Sequence, residues 1–198
     1  MAKGSSDLIL RDRMQFTFDA GTGNRSTLYG RMDLSDYVDT VEKKGLSIKE
    51  VRFHLRDPNG SETNTGVFVP VGIGHNPFGN SPTWCSLKLY ATTRAYENAS
   101  DVGIASPDVI ALHEAMQMLP GQIAGTNPTY NFYHADYGTP DLHPEGFTVV
   151  SDLLIGIAAD RWTEYAEDTL ELDVMVIAQP VSVTVARMNE ILTQAQDL

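Results

Sequence analysis

Residues 45–60 read GLSIKEVRFHLRDPNG. Leu46 and Ile48 alternate with polar neighbours, and so do Val51, Phe53 and Leu55, but the two sets are out of phase by one residue. One extra residue near Lys49 and Glu50, a β-bulge, returns both sets to a single face of one strand. Asp57-Pro58-Asn59-Gly60 then ends the run, because proline presets φ and Asn-Gly accepts positive φ. The stretch predicts a long, bent, central antiparallel strand that leads into a hairpin. A β-rich fold follows from it.

Working outward, MQFTFDA at 14–20 alternates Met14, Phe16 and Phe18 against polar partners, which predicts a first strand. A further strand is expected around 27–32. On the far side of the hairpin tip, apolar β-branched residues at 67–73 supply the partner strand, and residues 72–83 carry glycine, asparagine and proline at turn density. Strands are also predicted over 84–96, 147–158 and 169–178. In the last of these, Leu170, Leu172, Val174 and Val176 form one apolar face.

Ser106-Pro107-Asp108 has the composition of a helix start, and apolar residues follow at helical spacing until Pro120-Gly121. This predicts an internal helix over 106–119. Residues 120–146 then read as a long loop rich in glycine, proline and aromatics, longer than a compact domain needs without a purpose. Near the end, Val181, Val183 and Val185 alternate like a strand, and a helix is expected from about 186 to 196. About seven or eight strands with turn-rich connections predict an antiparallel two-sheet sandwich of jelly-roll type, one domain over 14–198 behind an arm at 1–13.

Composition narrows the function. Fourteen Lys and Arg against 26 Asp and Glu give a net charge of −12, which disfavours direct nucleic-acid binding because phosphate neutralisation needs a positive patch. Cys85 stands alone, so no intramolecular disulfide is possible. No signal peptide and no membrane-spanning run are evident, which makes the cytoplasm of the producing cell the expected place of synthesis.

Catalytic motifs fare poorly. His113-Glu114 opens like a zinc-protease helix, but the position four residues on is Gln117, so the facing ligand pair is lost. There is no His-x-His and no Gly-x-Ser-x-Gly. No resident cofactor is expected, and no enzyme activity. The loop does gather His134, Asp136, Asp141, His143 and Glu145, ligand types that suit a divalent cation. It also gathers Tyr130, Phe132, Tyr133 and Tyr137, and tyrosines in polar loops serve interfaces and sugar sites.

Taken as a whole-chain pattern, the arm MAKGSSDLILRDR, the strand MQFTFDA, the broken strand LSIKEVRFHL, the helix SPDVIALHEAMQML and the strand LELDVMVIA resemble the single-jelly-roll capsid proteins of icosahedral viruses of archaea and bacteria. The resemblance implies a structural shell subunit located in the virion. Its partners would be other copies of itself and other shell proteins, met through loops, edges and termini, with Tyr130, Phe132, Tyr133, Tyr137, Met188 and Leu192 at the contacts. The missing basic arm departs from capsids that touch their genome. Two further readings stand beside it: a carbohydrate-binding or adhesive sandwich using the 130–137 loop, and a metal-assisted enzyme at His134, Asp136, His143 and Glu145.

Overall fold

The computed structural model describes residues 7–58, 69–70, 83–119, 131–137 and 146–194. Its strands are β1 (Leu8–Thr17), β2 (Arg25–Met32), β3 (Lys44–Asp57), β4 (Val69–Pro70), β5 (Thr83–Thr92), β6 (Val109–Leu119), β7 (Asn131–Tyr137), β8 (Phe147–Val149), β9 (Leu153–Asp160) and β10 (Thr169–Ser182). A helix, α1 (Val185–Gln194), follows.

The strands form two antiparallel sheets. One runs β1-β10-β3-β4, with β8 also paired to β3, and the other runs β2-β9-β5-β6-β7. Without β4 and β7, the orders β1-β10-β3-β8 and β2-β9-β5-β6 are those of a jelly roll, in which successive strands cross between the sheets in Greek-key fashion. The hydrophobic core lies between the sheets. Phe16, Leu46, Ile48, Leu170, Leu172 and Val176 face it from the first sheet, and Leu87, Leu89, Leu153 and Ile157 face it from the second.

The bulge inferred in β3 is present where the phase change requires it. Ile177 pairs with Glu50 and Ala178 with Ile48, so Lys49 is the extra residue. Leu46 and Ile48 on one side of it and Val51 on the other are all buried. Asp57 and Arg56 pair with β4, which confirms the hairpin, although its tip at 61–66 and residues 72–82 of the expected loop lie outside the described residues, and Thr83, the last residue of that loop, opens β5.

Two expectations need correction. The internal helix over 106–119 is strand β6, hydrogen-bonded to β5 on one side and β7 on the other. Its alanines, leucines and methionines have good helix propensity, but propensity is a weak prior against ladders on both edges and burial on both faces. The apparent N-cap serves a turn instead: Ser106 Oγ donates to the Asp101 carbonyl (3.0 Å), and the Asp108 carbonyl accepts from Thr92 Oγ1 (2.9 Å). Residues 8–13, read as part of the N-terminal arm, are the first half of β1 and pair with β10 from Leu8↔Ala178 onward.

The terminal helix was expected from about 186 and begins at Val185. It docks through Met188 onto Val150 and Val183. The outer face of the second sheet is covered by the chain itself, because the β5–β6 connection folds back over it. There Tyr90, Val102 and Leu112 form a small core with Tyr29 and Tyr96 packed against it, and Lys88 Nζ donates to the Ala99 and Val102 carbonyls (3.1 and 2.8 Å).

Candidate functional site

The densest group of ligand-type side chains among the described residues sits where β6 meets β7. β7 is the last strand of its sheet and is held in it by its ladder with β6. His113 on β6 lies directly opposite Asp136 on β7. His134, two residues before Asp136, projects from the same side of the strand, because side chains alternate with period two.

His113 Nδ1 stands 2.7 Å from Asp136 Oδ1, and His134 Nε2 stands 3.9 Å from Asp136 Oδ2. The two imidazoles meet edge to face, with ring centroids 4.6 Å apart. One ligand atom from each of the three residues lies within 4.8 Å of the others. The group opens onto a cleft of about 350 Å³ between the sheets, walled on the far side by Val51 and Phe53 of β3.

The loop constellation expected at 130–145 is therefore partly a strand, and the strand sorts its members. His134 and Asp136 belong to the side that faces the first sheet. Tyr133 and Tyr137 belong to the outer side, where their hydroxyls meet at 2.6 Å and Tyr137 packs against the Tyr90 cluster. Tyr133 is the more exposed of the two. The Tyr133 hydroxyl is held above its ordinary pKa, first by that hydrogen bond and then by partial desolvation. Tyr130, Asp141, His143, Glu145 and the side chain of Phe132 lie outside the described residues.

His113 is the member that sequence reasoning missed. Placed on a helix, it had no partner within reach. As a strand residue it faces a carboxylate 23 positions away. An alternating reading of 109–119 was the signal that would have found it.

The two remaining contact residues expected near the C-terminus differ in kind. Met188 is buried within its own chain, whereas Leu192 is exposed.

The outer face of the first sheet is charged in rows. Gln15, Glu171 and Arg56 form one row and Arg13, Asp173 and His54 the next. Gln15 Nε2 donates to Glu171 (2.9 Å), Arg56 pairs with Glu171, and Arg13 Nε donates to Asp173 (2.5 Å). The Glu171 carboxyl is held below the usual carboxylate range, chiefly by the Gln15 hydrogen bond, with Arg56 and Arg13 adding to it against desolvation. For Asp173 burial pushes upward, and the Arg13 hydrogen bond with the charges of Arg56 and Arg13 outweighs it.

No protein-family model matches the chain, and no curated protein matches it either. Among solved structures, it is similar to a chain in the structure of Turnip Yellow Mosaic Virus at 100 K. That likeness covers 91% of this chain and 99% of the other at 9% identity, with a TM-score of 0.25. A likeness at that score carries no argument about fold or function.

Proposed function

We propose that the protein is a non-catalytic structural subunit that assembles with copies of itself into a shell of the viral capsid type. The observation that carries the reading is where apolar side chains remain exposed. β1, β3, β6 and β9 begin at one end of the sandwich, and β2, β5, β8 and β10 finish there. Among the described residues, five of the seven large apolar side chains left in solvent belong to this end: Ile9 at the start of β1, Val41 between β2 and β3, Ile104 between β5 and β6, and Val185 and Leu192 on α1. Val41 is 87% exposed and Ile104 71%.

Scattered surface apolar residues are ordinary, but among the described residues most of the large exposed ones share this end, which fits a contact surface. The jelly roll adds support of a weaker kind, since capsid, lectin and cupin domains share it and fold alone does not fix function. The partners on this reading are further copies and other shell proteins, and the place of the protein is the virion after synthesis in the host cytoplasm. No helix of the described residues is long and apolar enough to cross a membrane.

The test is the mass of the purified chain in solution, by light scattering with negative-stain imaging across salt and pH. Closed particles or oligomers of fixed size are expected. Val41→Asp with Ile104→Asp should abolish them while leaving the melting temperature of the subunit within a degree or two, because both sites are in solvent. A 21.7 kDa monomer under every condition overturns the proposal. So does assembly indifferent to the double substitution.

A further inference from the structure

The geometry points to a zinc-type divalent cation site formed by His113, His134 and Asp136, which fastens the edge strand β7 to β6. The donor set decides the class of metal. Two imidazoles and one carboxylate suit a late first-row cation such as Zn²⁺, whereas Mg²⁺ and Ca²⁺ take oxygen ligands almost throughout.

The spacing agrees with that class. With metal–ligand bonds near 2.0–2.1 Å, tetrahedral donors stand about 3.3 Å apart. His113 Nδ1 stands 2.7 Å from Asp136 Oδ1 and His134 Nε2 3.9 Å from the other carboxylate oxygen, Oδ2, and one donor atom from each of the three residues lies within 4.8 Å of the others. Small side-chain rotations bring them to it without moving the backbone. The backbone is already fixed by the β6–β7 register, which pairs His113 with Asp136 and Ala115 with His134.

Three protein donors leave one coordination position, and the cleft between the sheets is the space in front of it. Val51 and Phe53 close the far wall of that cleft. A water completes the shell there. The site joins residues 113 and 136 across two strands, so occupancy adds a tie between β7 and β6 beside the ladder that pairs them. The inference does not depend on shell assembly, and a monomeric protein would show it equally.

The experiment is a zinc titration of the full chain, followed by calorimetry and by metal analysis after gel filtration. One zinc per chain at micromolar affinity is expected, with no heat from Mg²⁺ or Ca²⁺ at the same concentrations. His134→Gln and Asp136→Asn should each weaken binding about tenfold or more. Both side chains are exposed, 46% and 60%, so the metal-free melting temperatures should match the wild type and separate ligand loss from misfolding. Hydrogen exchange supplies a second readout, in which zinc should slow the amides of β7 in the wild type and in neither variant. Binding that needs millimolar zinc overturns the site. Affinity unchanged in both variants, or zinc bound without slower exchange in β7, does the same.

Discussion

Gly156 has no room for a side chain. It sits on β9 between Tyr29 of β2 and Tyr90 of β5 in the strand register. The Tyr90 ring occupies the space that a side chain there would need. A Cβ added at Gly156 would fall 2.7 Å from Tyr90 Oη and closer still to two ring carbons. For ordinary contact the ring must retreat by about 1 Å or more, and it has nowhere to go. Tyr90 is fully buried, and its hydroxyl donates to Tyr29 Oη (2.9 Å). That oxygen also accepts from the Tyr96 amide (2.7 Å), and its own proton goes to the Tyr96 carbonyl (3.2 Å). Burial holds the Tyr90 hydroxyl well above its ordinary pKa, so it stays a neutral donor. The backbone cannot yield either, because β9 is paired on both sides. Overpacking costs about 1–3 kcal/mol and disturbing the tyrosine hydrogen bonds about 1 kcal/mol more. Gly156→Ala should therefore lose about 2–4 kcal/mol in urea unfolding, or about 5–15 °C in melting temperature for a domain of this size. In Tyr90→Ala the added methyl has room, so a double-mutant cycle should show the two changes coupled by at least about 1 kcal/mol. If Gly156→Ala unfolds within about 0.5 kcal/mol of the wild type, the packing argument fails.

Three further outcomes follow from the same structure. Deleting Lys49 removes the bulge and turns Leu46 and Ile48 out of the core, so the variant should not give a cooperative melt, whereas Lys49→Ala should be close to neutral. Met188→Ala should cost about 2 kcal/mol at the low end of core truncations and speed amide exchange in α1, while Leu192→Ala, in solvent, should leave the subunit's own stability nearly unchanged. Glu171 has a folded pKa below its unfolded one, so its contribution is present above the unfolded value and is lost as pH falls through the folded value. Urea midpoints should accordingly fall as pH drops below about 4.3, and Glu171→Gln should make that acid slope shallower; an unchanged slope would remove the Gln15–Glu171–Arg56 row as its cause.

Much of the sandwich was legible because its strands largely obey period two, interrupted by register shifts in the β3–β10, β2–β9 and β5–β6 ladders. The shift in β3 was itself readable, since a phase change between Ile48 and Val51 admits one inserted residue and the ladder shows one. β10 was legible for the same reason: Leu170, Leu172, Val174 and Val176 are all buried on one face. β6 was not, because both of its faces carry apolar side chains and a run apolar on both sides has no preferred period. Ala111 faces the main core while Leu112 belongs to the tyrosine cluster outside it. Only the outer cluster, built from a connection that folds back over the sheet, makes the second face apolar. No local pattern announces such a connection.

The same misreading hid the candidate site, and its correction separates two functions that had been merged. As a loop, residues 130–137 offered tyrosines and ligand-type side chains together, so sugar binding and metal binding competed for one place. As strand β7, they divide. Tyr133 and Tyr137 join hydroxyls on the outer side, and His134 and Asp136 turn inward to His113. The two chemistries then share a backbone but no side chain, and they can be perturbed separately. Tyr133→Ala should leave zinc affinity untouched, and His134→Gln should leave any contact made by the tyrosine face untouched. A tyrosine substitution that weakened zinc binding would mean that β7 moves as a whole when its outer face is altered, and that its register rests as much on Tyr137 against the Tyr90 cluster as on the ladder with β6.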